Sequence, residues 1–262
     1  MKKLLSFLLT LIVVIPLQLN AQVATSDAKV PDTVNRTDSQ GNKVGYWTEK
    51  QGEFTWKGEY AANKKIKDWI AYYSNNFIYK IEYYNNGIKD GISIQFDRKC
   101  KISLIEHFKN GLVHGQTIYY SQFNETPLSE TDYAFGKKNG LYRQYYDNGK
   151  IQEESWFKDD VKNGTSKWNN KSGQRIAEYN YKAGNFDGMQ MTFYENDSLQ
   201  TTNKYLDNKL SGESKEYFRN GKVKISGKYI NGLKEGVWTE YDELGKVVLV
   251  TRYKDGIEVT KK

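Results

Sequence analysis

An aromatic residue recurs every 24 residues along most of this chain, and a glycine follows it seven residues later. The tracts are YNNGIKDG (84–91), FKNGLVHG (108–115), YAFGKKNG (133–140), FKDDVKNG (157–164), YKAGNFDG (181–188), YLDNKLSG (205–212) and YINGLKEG (229–236). The aromatics are Tyr84, Phe108, Tyr133, Phe157, Tyr181, Tyr205, Tyr229 and Tyr253, with one gap of 25 residues and the rest of 24. The extra residue falls in SQFNETPLSE (121–130), which contains Pro127. A fixed period of this length marks a tandem array, in which each unit buries its apolar surface against its neighbours. Earlier copies are degenerate. Tyr60 keeps the phase but Lys67 stands at the closing-glycine position, and Gly45 with Trp47 ends a copy about two residues off register. YKDG (253–256) opens a partial copy. Atypical terminal copies are expected where an array needs caps.

Each copy carries two turn signals. Three residues after the aromatic stand Asn63, Gly87, Gly111, Gly136, Asp160, Gly184, Asn208, Gly232 and Gly256. Nine residues after the closing glycine stand Asn124, Gly149, Gly173, Asp197, Gly221 and Gly245, with Cys100 replacing the turn former once. Gly, Asn and Asp are the residues that tolerate positive φ. Two turns per copy predict two strands per copy, each of 7–9 residues by subtraction. Period-two alternation agrees. Ile92, Ile94 and Phe96, then Met189, Met191 and Phe193, then Val237, Thr239 and Tyr241 lie on one face. The other strand is expected to bring Ile102, Leu104 and Phe108, or Val223, Ile225 and Tyr229, to the same apolar face. The reverse face reads as polar, with Ser93, Gln95, Ser214 and Glu216; Arg143 and Lys215 interrupt the apolar one. The fold expected is all-β: an elongated antiparallel sheet of tandem β-hairpin repeats, about 24 residues per repeat, with the recurring aromatics stacked as a ladder.

The unit Tyr-x-x-Gly-x-x-x-Gly-x-Trp-x-x-Tyr, seen as YINGLKEGVWTEY (229–241), resembles the MORN-type repeat. More narrowly it resembles the bacterial MORN-variant repeat found in proteins labelled YwqK-family antitoxins. The resemblance covers residues 41–262; Lys67, Asp160, Asn208 and the Pro127 insertion depart from it. It implies a scaffold or protein-binding surface, in some members near a membrane, and an antitoxin-like role in which any toxin partner is exported or incoming.

Residues 1–21 read as a cleaved signal peptide. Lys2 and Lys3 precede an almost wholly apolar run from Leu4 to Leu19, and Ala21 offers a small residue for cleavage before Gln22. Residues 22–40 are polar and aperiodic and read as a flexible linker to the repeat array at 41–262. The single cysteine, Cys100, lies far from the cleavage point, so no lipid anchor is expected. Export to the periplasm, cell surface or medium is expected. Setting Lys2 and Lys3 aside leaves 37 basic and 32 acidic residues, a net +5, and the signs are interspersed. That pattern describes a solvated surface rather than a nucleic-acid site.

No catalytic constellation emerges, and the chain is expected not to be an enzyme. His107 and His114 have no acidic or thiol companions at metal-ligand spacing. Glu153 and Glu154 are adjacent and point to opposite faces of a strand, which rules them out as an acid–base pair. The glycines are spread at repeat spacing with no phosphate-binding run. Neither metal nor cofactor is expected. The candidate contact surface is aromatic: Trp69 and Trp238, which face away from the Ile/Phe face, with Trp156, Tyr83, Tyr119 and Tyr142. The alternative for these rings is burial beneath a curled second face. Asp32-Thr33-Val34 and Asp197-Ser198-Leu199 resemble a short O-glycosylation sequon of exported bacterial proteins, making Thr33 and Ser198 candidate acceptors. The function expected is an exported protein-binding or scaffold module with a protein partner. The alternative is a surface module that binds glycan or lipid head groups through exposed aromatics.

Overall fold

A computed structural model describes residues 34–259. The leader, the cleavage point at Ala21 and Gln22, and Thr33 lie outside the described residues. Among the described residues twenty-three strands form one open antiparallel sheet in which successive long strands pair, and two-residue strands such as Leu112–Val113 pair only with the strand before them. The repeat supplies two strands per copy, as in Ile78–Asn85 and Ile88–Phe96, or Val223–Ile230 and Leu233–Tyr241. The end of the expected linker has structure of its own. Arg36–Thr37 pair with Val44 and Lys43, and the Asp38 carboxylate accepts the backbone N–H groups of Gln40 and Asn42.

The two turn series behave as their residues require. At the first, both central residues take positive φ: Asn86 at 51° and Gly87 at 86°, or Asp207 at 49° and Asn208 at 63°. That is the twist a two-residue hairpin needs. Cys100 adopts φ 62° in the second series. The residue expected there at Asn124 is displaced by one, and Glu125 carries the positive φ of 59°. The extra residue of the 121–130 stretch lengthens this turn, and Asn124 instead donates from Nδ2 to the Asp147 carbonyl at 2.7 Å.

A row of such bonds stitches successive turns. Asn148, Asn196 and Asn220 each donate from Nδ2 to the carbonyl 23 residues ahead, at 2.8, 2.9 and 3.1 Å. Tyr73, Tyr146 and Tyr194 do the same from their hydroxyls, at 3.1, 2.9 and 2.8 Å. One copy therefore satisfies the unpaired turn carbonyls of the next, which a sheet without a covering layer needs.

The distribution of apolar residues departs from the expectation of one apolar face. Ile94 pairs with Ile105, whereas Leu104 pairs with Gln95. Ile92, Ile94 and Phe96 therefore lie on one face, and Leu104 and Phe108 on the other. The reason is the antiparallel register. Partners share a face, and the ladder aromatic sits opposite the closing glycine, as Phe108 does opposite Gly91. Both faces are half-apolar. On the face away from the ladder, Ile70, Ile81, Ile94, Ile105 and Ile118 form one cross-strand row. The row continues as Glu130, Arg143 and Glu154. There Arg143 does not lie over a ring: it bridges Glu154 at 2.9 Å and Glu130 at 3.7 Å.

Candidate functional site

The ladder face is the better buried of the two. Its deepest positions are small polar residues and tryptophans: Trp69, Ser155 and Ser166 are wholly buried, and Ser93, Thr117, Thr131, Gln190 and Ser214 nearly so. Of the residues read as a polar face, Ser93 and Ser214 are thus part of the floor beneath the rings, whereas Gln95 is half-buried and Glu216 exposed. Two positions set this floor in every copy, one two residues before the ladder aromatic and one nine residues after it. Their sizes compensate. Gly58 faces Trp69 and Gly227 faces Trp238, and a Cβ at either glycine would meet the indole, 2.6 Å from Cγ in both cases. Elsewhere the pair is Glu82 with Ser93, Thr131 with Tyr142, or Ser155 with Ser166. Trp69 donates from Nε1 to the Glu59 carbonyl at 3.1 Å. Gln190 does the equivalent from Nε2 to the Asn180 carbonyl at 2.9 Å.

Above the floor, five residues after the ladder aromatic, stand Lys65, Lys89, Lys138, Lys162 and Lys234, with Val113, Phe186 and Leu210 at the same position in three other copies. Each lysine covers the ladder ring of the next copy. The Lys65 ammonium lies 4.1 Å from the Trp69 ring and 5.3 Å from Tyr84. Lys89 lies 5.0 Å from Phe108, and Lys138 lies 5.2 Å from Phe157. Lys162 lies 5.3 Å from Tyr181, and Lys234 lies 4.9 Å from Tyr253. Contacts of this kind contribute roughly 0.5–1 kcal/mol each where solvent reaches them. Burial lowers the Lys65 pKa, against the pull of Glu49 and Glu82. Burial raises Glu82, but hydrogen bonds from Lys89 and Tyr84 outweigh it and hold the carboxylate below its ordinary range. Burial, then the Glu82 contact, raises the Tyr84 hydroxyl, which stays protonated and donates. On the other face, burial and Glu130 push Tyr145 up to about 12.

The six candidate contact residues do not form one surface. Trp69 and Trp238 do face away from Ile92, as expected, but they are buried, which is the alternative reading of those rings. Tyr142 is half-buried on the ladder face, and Tyr119 is exposed there. Trp156 and Tyr83 are exposed on the opposite face, where Trp156 pairs with Leu141 and Tyr83 with Asp68. The sequence signal for the two buried tryptophans was the glycine two residues before Tyr60 and Tyr229. His107 and His114 serve the local backbone: His107 Nδ1 lies 2.7 Å from the Gln116 carbonyl, and His114 Nδ1 accepts from the Phe135 N–H at 3.3 Å. Among the described residues no three His, Cys, Asp or Glu side chains gather to hold a metal ion. Ser198 donates from Oγ to Asn196 at 2.6 Å within its turn.

The unit that repeats is the hairpin closed by the second turn, running from the position five residues after one ladder aromatic to two residues beyond the next. Residues 138–159, 210–231 and 234–255 are three such units, and each matches the family model of the MORN repeat variant. Three copies carry the MORN signature. Each match runs across one second-series turn, at Gly149, Gly221 and Gly245. MORN repeats are commonly protein- or membrane-binding modules. No curated protein matches the chain.

Proposed function

We propose that this chain is an exported, non-enzymatic scaffold that holds a partner protein by pairing with one of its extended strands. The observation that carries the reading is the strand Val247–Lys254. Val247, Val248, Leu249 and Val250 are 50%, 67%, 49% and 55% exposed. Its inner edge pairs fully with Leu233–Tyr241. On its outer edge Tyr253 and Lys254 pair with Glu258 and Ile257, and the Arg252 carbonyl accepts from the Val259 N–H at 2.8 Å. Residues 247–251 have no outer strand among the described residues. An exposed, β-branched edge with unpaired N–H and C=O groups is a template for strand addition. Main-chain bonds supply affinity there, and the alternating valines supply selectivity. Export rests on residues 1–21, and a toxin delivered outside the cytoplasm would be one partner of this kind.

The test compares Val248→Lys/Val250→Lys with Trp156→Ser, an exposed ring on Ile151–Lys158, several strands away from that edge. Both are made in the full chain and used for affinity capture from the native envelope. The edge variant should lose a partner that the Trp156 variant keeps. The partner should also slow amide exchange at residues 247–251. Retention of every partner by the edge variant, with exchange there unchanged, overturns the proposal.

A further inference from the structure

Three copies lack the lysine, with Val113, Phe186 and Leu210 in its place, and the copy that begins at Tyr181 is the one that puts an aromatic ring there. Phe186 stands where Lys65, Lys89, Lys138, Lys162 and Lys234 stand in other copies. Its ring packs against Tyr181 at 4.9 Å and lies 5.5 Å from both Tyr179 and Tyr205. A cavity of about 230 Å³ opens between these rings, with Gln190, Thr192, Thr201 and Asn203 completing its wall. No side chain lining it is charged, whereas each of four other surface cavities carries at least one lysine or arginine.

The polar groups of the wall are partly committed. Gln190 bonds the Asn180 backbone through both amide atoms, at 2.9 Å each, and is nearly buried. Thr192 and Thr201 share one hydrogen bond at 2.8 Å, leaving one hydroxyl proton free. Asn203 Oδ1 accepts from Ser214 at 2.6 Å, and its amide donors remain open. The Tyr179 and Tyr205 hydroxyls have no partner among the described residues. The site thus offers flat apolar rings beside free hydroxyl and amide groups, in a space smaller than drug-sized pockets of about 300–1,000 Å³.

We infer that this cavity binds a single neutral sugar ring, a pyranoside. Such a ring presents a C–H face to an aromatic and hydroxyls to amide and hydroxyl groups, and it carries no charge that would need a lysine. An anionic ligand finds no counter-ion here. A purely apolar ligand would leave the Asn203 amide and the tyrosine hydroxyls unsatisfied, which costs about 1–3 kcal/mol per group.

Phe186→Lys restores the residue of five other copies, so the fold should accept it. The probes are methyl glucoside, mannoside, galactoside and N-acetylglucosaminide, presented to the full chain at up to about 10 mM, since so small a contact is expected to bind in the millimolar range. Saturation-transfer NMR should show ring protons of at least one probe contacting the protein. Phe186→Lys should weaken that binding by about tenfold or more. Tyr205→Phe should weaken it less, and Trp156→Ser should leave it unchanged. A parallel arm with insoluble cell-wall and capsular polysaccharide distinguishes a polymer-borne ring from a free sugar. Absence of binding in both arms, or equal binding by the Phe186→Lys chain, overturns the inference.

Discussion

Gly58 and Trp69 should behave as one unit. Gly58 does not adopt positive φ, so its backbone would accept alanine without strain. The obstacle is the indole: a Cβ there would lie 2.5 Å from Cε2 and 2.6 Å from Cγ of a ring that is wholly buried. Carbon atoms rest at about 3.5–4.0 Å, so the ring must retreat by about 1 Å or more. Retreat loosens the Nε1 bond to the Glu59 carbonyl and the edge contact with Tyr60 at 4.9 Å. Overpacking of this kind costs about 1–3 kcal/mol. Trp69→Ala alone should cost about 3–5 kcal/mol. In the Trp69→Ala background the clash vanishes, and Gly58→Ala should then be neutral or favourable by up to about 1 kcal/mol. The pair should therefore show a coupling of roughly 1–3 kcal/mol, well above the scatter between independent sites. Urea unfolding of all four chains, followed by far-UV circular dichroism, measures it. Because arrays lose cooperativity, amide exchange over residues 43–72 should show the loss confined to neighbouring copies. An equal cost of Gly58→Ala in both backgrounds would refute the compensating-pair reasoning.

Three further outcomes follow from the same geometry. Glu82 has its pKa held below the ordinary 4.5, so its network contributes stability that is complete above that value and is lost as pH falls through the lower folded value. Glu82→Gln should flatten the acid limb of the stability–pH curve below the usual carboxylate range, and an unchanged limb counts against the network. Lys67 takes φ +56° where other copies carry glycine. Lys67→Gly should relieve roughly 1 kcal/mol of left-handed strain, offset in part by an exposed pair with Glu59 worth at most about 1 kcal/mol. The urea midpoint should rise slightly, and a clear fall would show that the strain is absent. Trp238→Ala should cost about 3–5 kcal/mol, whereas Trp156→Ser, at a half-exposed ring, should stay within about 0.5 kcal/mol. Comparable losses in thermal melts would mean that burial misjudges one of the two rings.

The turn chemistry was legible because it is local. A left-handed pair of residues favours Asn, Asp or Gly, and Asn86–Gly87 or Asp207–Asn208 declares itself without knowledge of any partner strand, although Ala62, Phe135 and Ala183 take the first place at φ 46–49° where Asn or Gly follows. The face assignment was not local. Period two places Ile92, Ile94 and Phe96 together, but which residues of the next strand join them depends on register. In the pairing of Ile88–Phe96 with Ile102–Lys109 that register shifts between Gln95 and Phe96. The buried tryptophans were hidden for a related reason. Trp69 and Trp238 stand at positions that hold Ser93, Thr117, Ser166, Gln190 and Ser214 in other copies, and alternation alone assigns such polar residues to solvent. Their burial depends on a glycine 11 residues earlier in sequence, directly across the strand pair. The free edge at 247–251 and the neutral cavity at Phe186 depend on neighbours that a single copy does not contain.

This difference between local and paired positions bears on where function resides. Variation on the ladder face is matched at several positions: Gly58 stands across from Trp69 and Gly227 across from Trp238, Lys89 and Tyr84 reach the buried Glu82, and Lys162 and Ser155 reach the buried Glu153. Matched changes leave packing, and therefore shape, nearly constant from copy to copy. They describe how the array stays stable while its sequence drifts. Phe186 is unmatched. It removes a cation from the line and leaves Asn203 donors and two tyrosine hydroxyls open, so the change creates unsatisfied capacity instead of restoring fit. The valines of 247–250 are unmatched in the same sense, since nothing among the described residues covers them. The two proposals rest on such residues, which gain no compensating neighbour among the described residues.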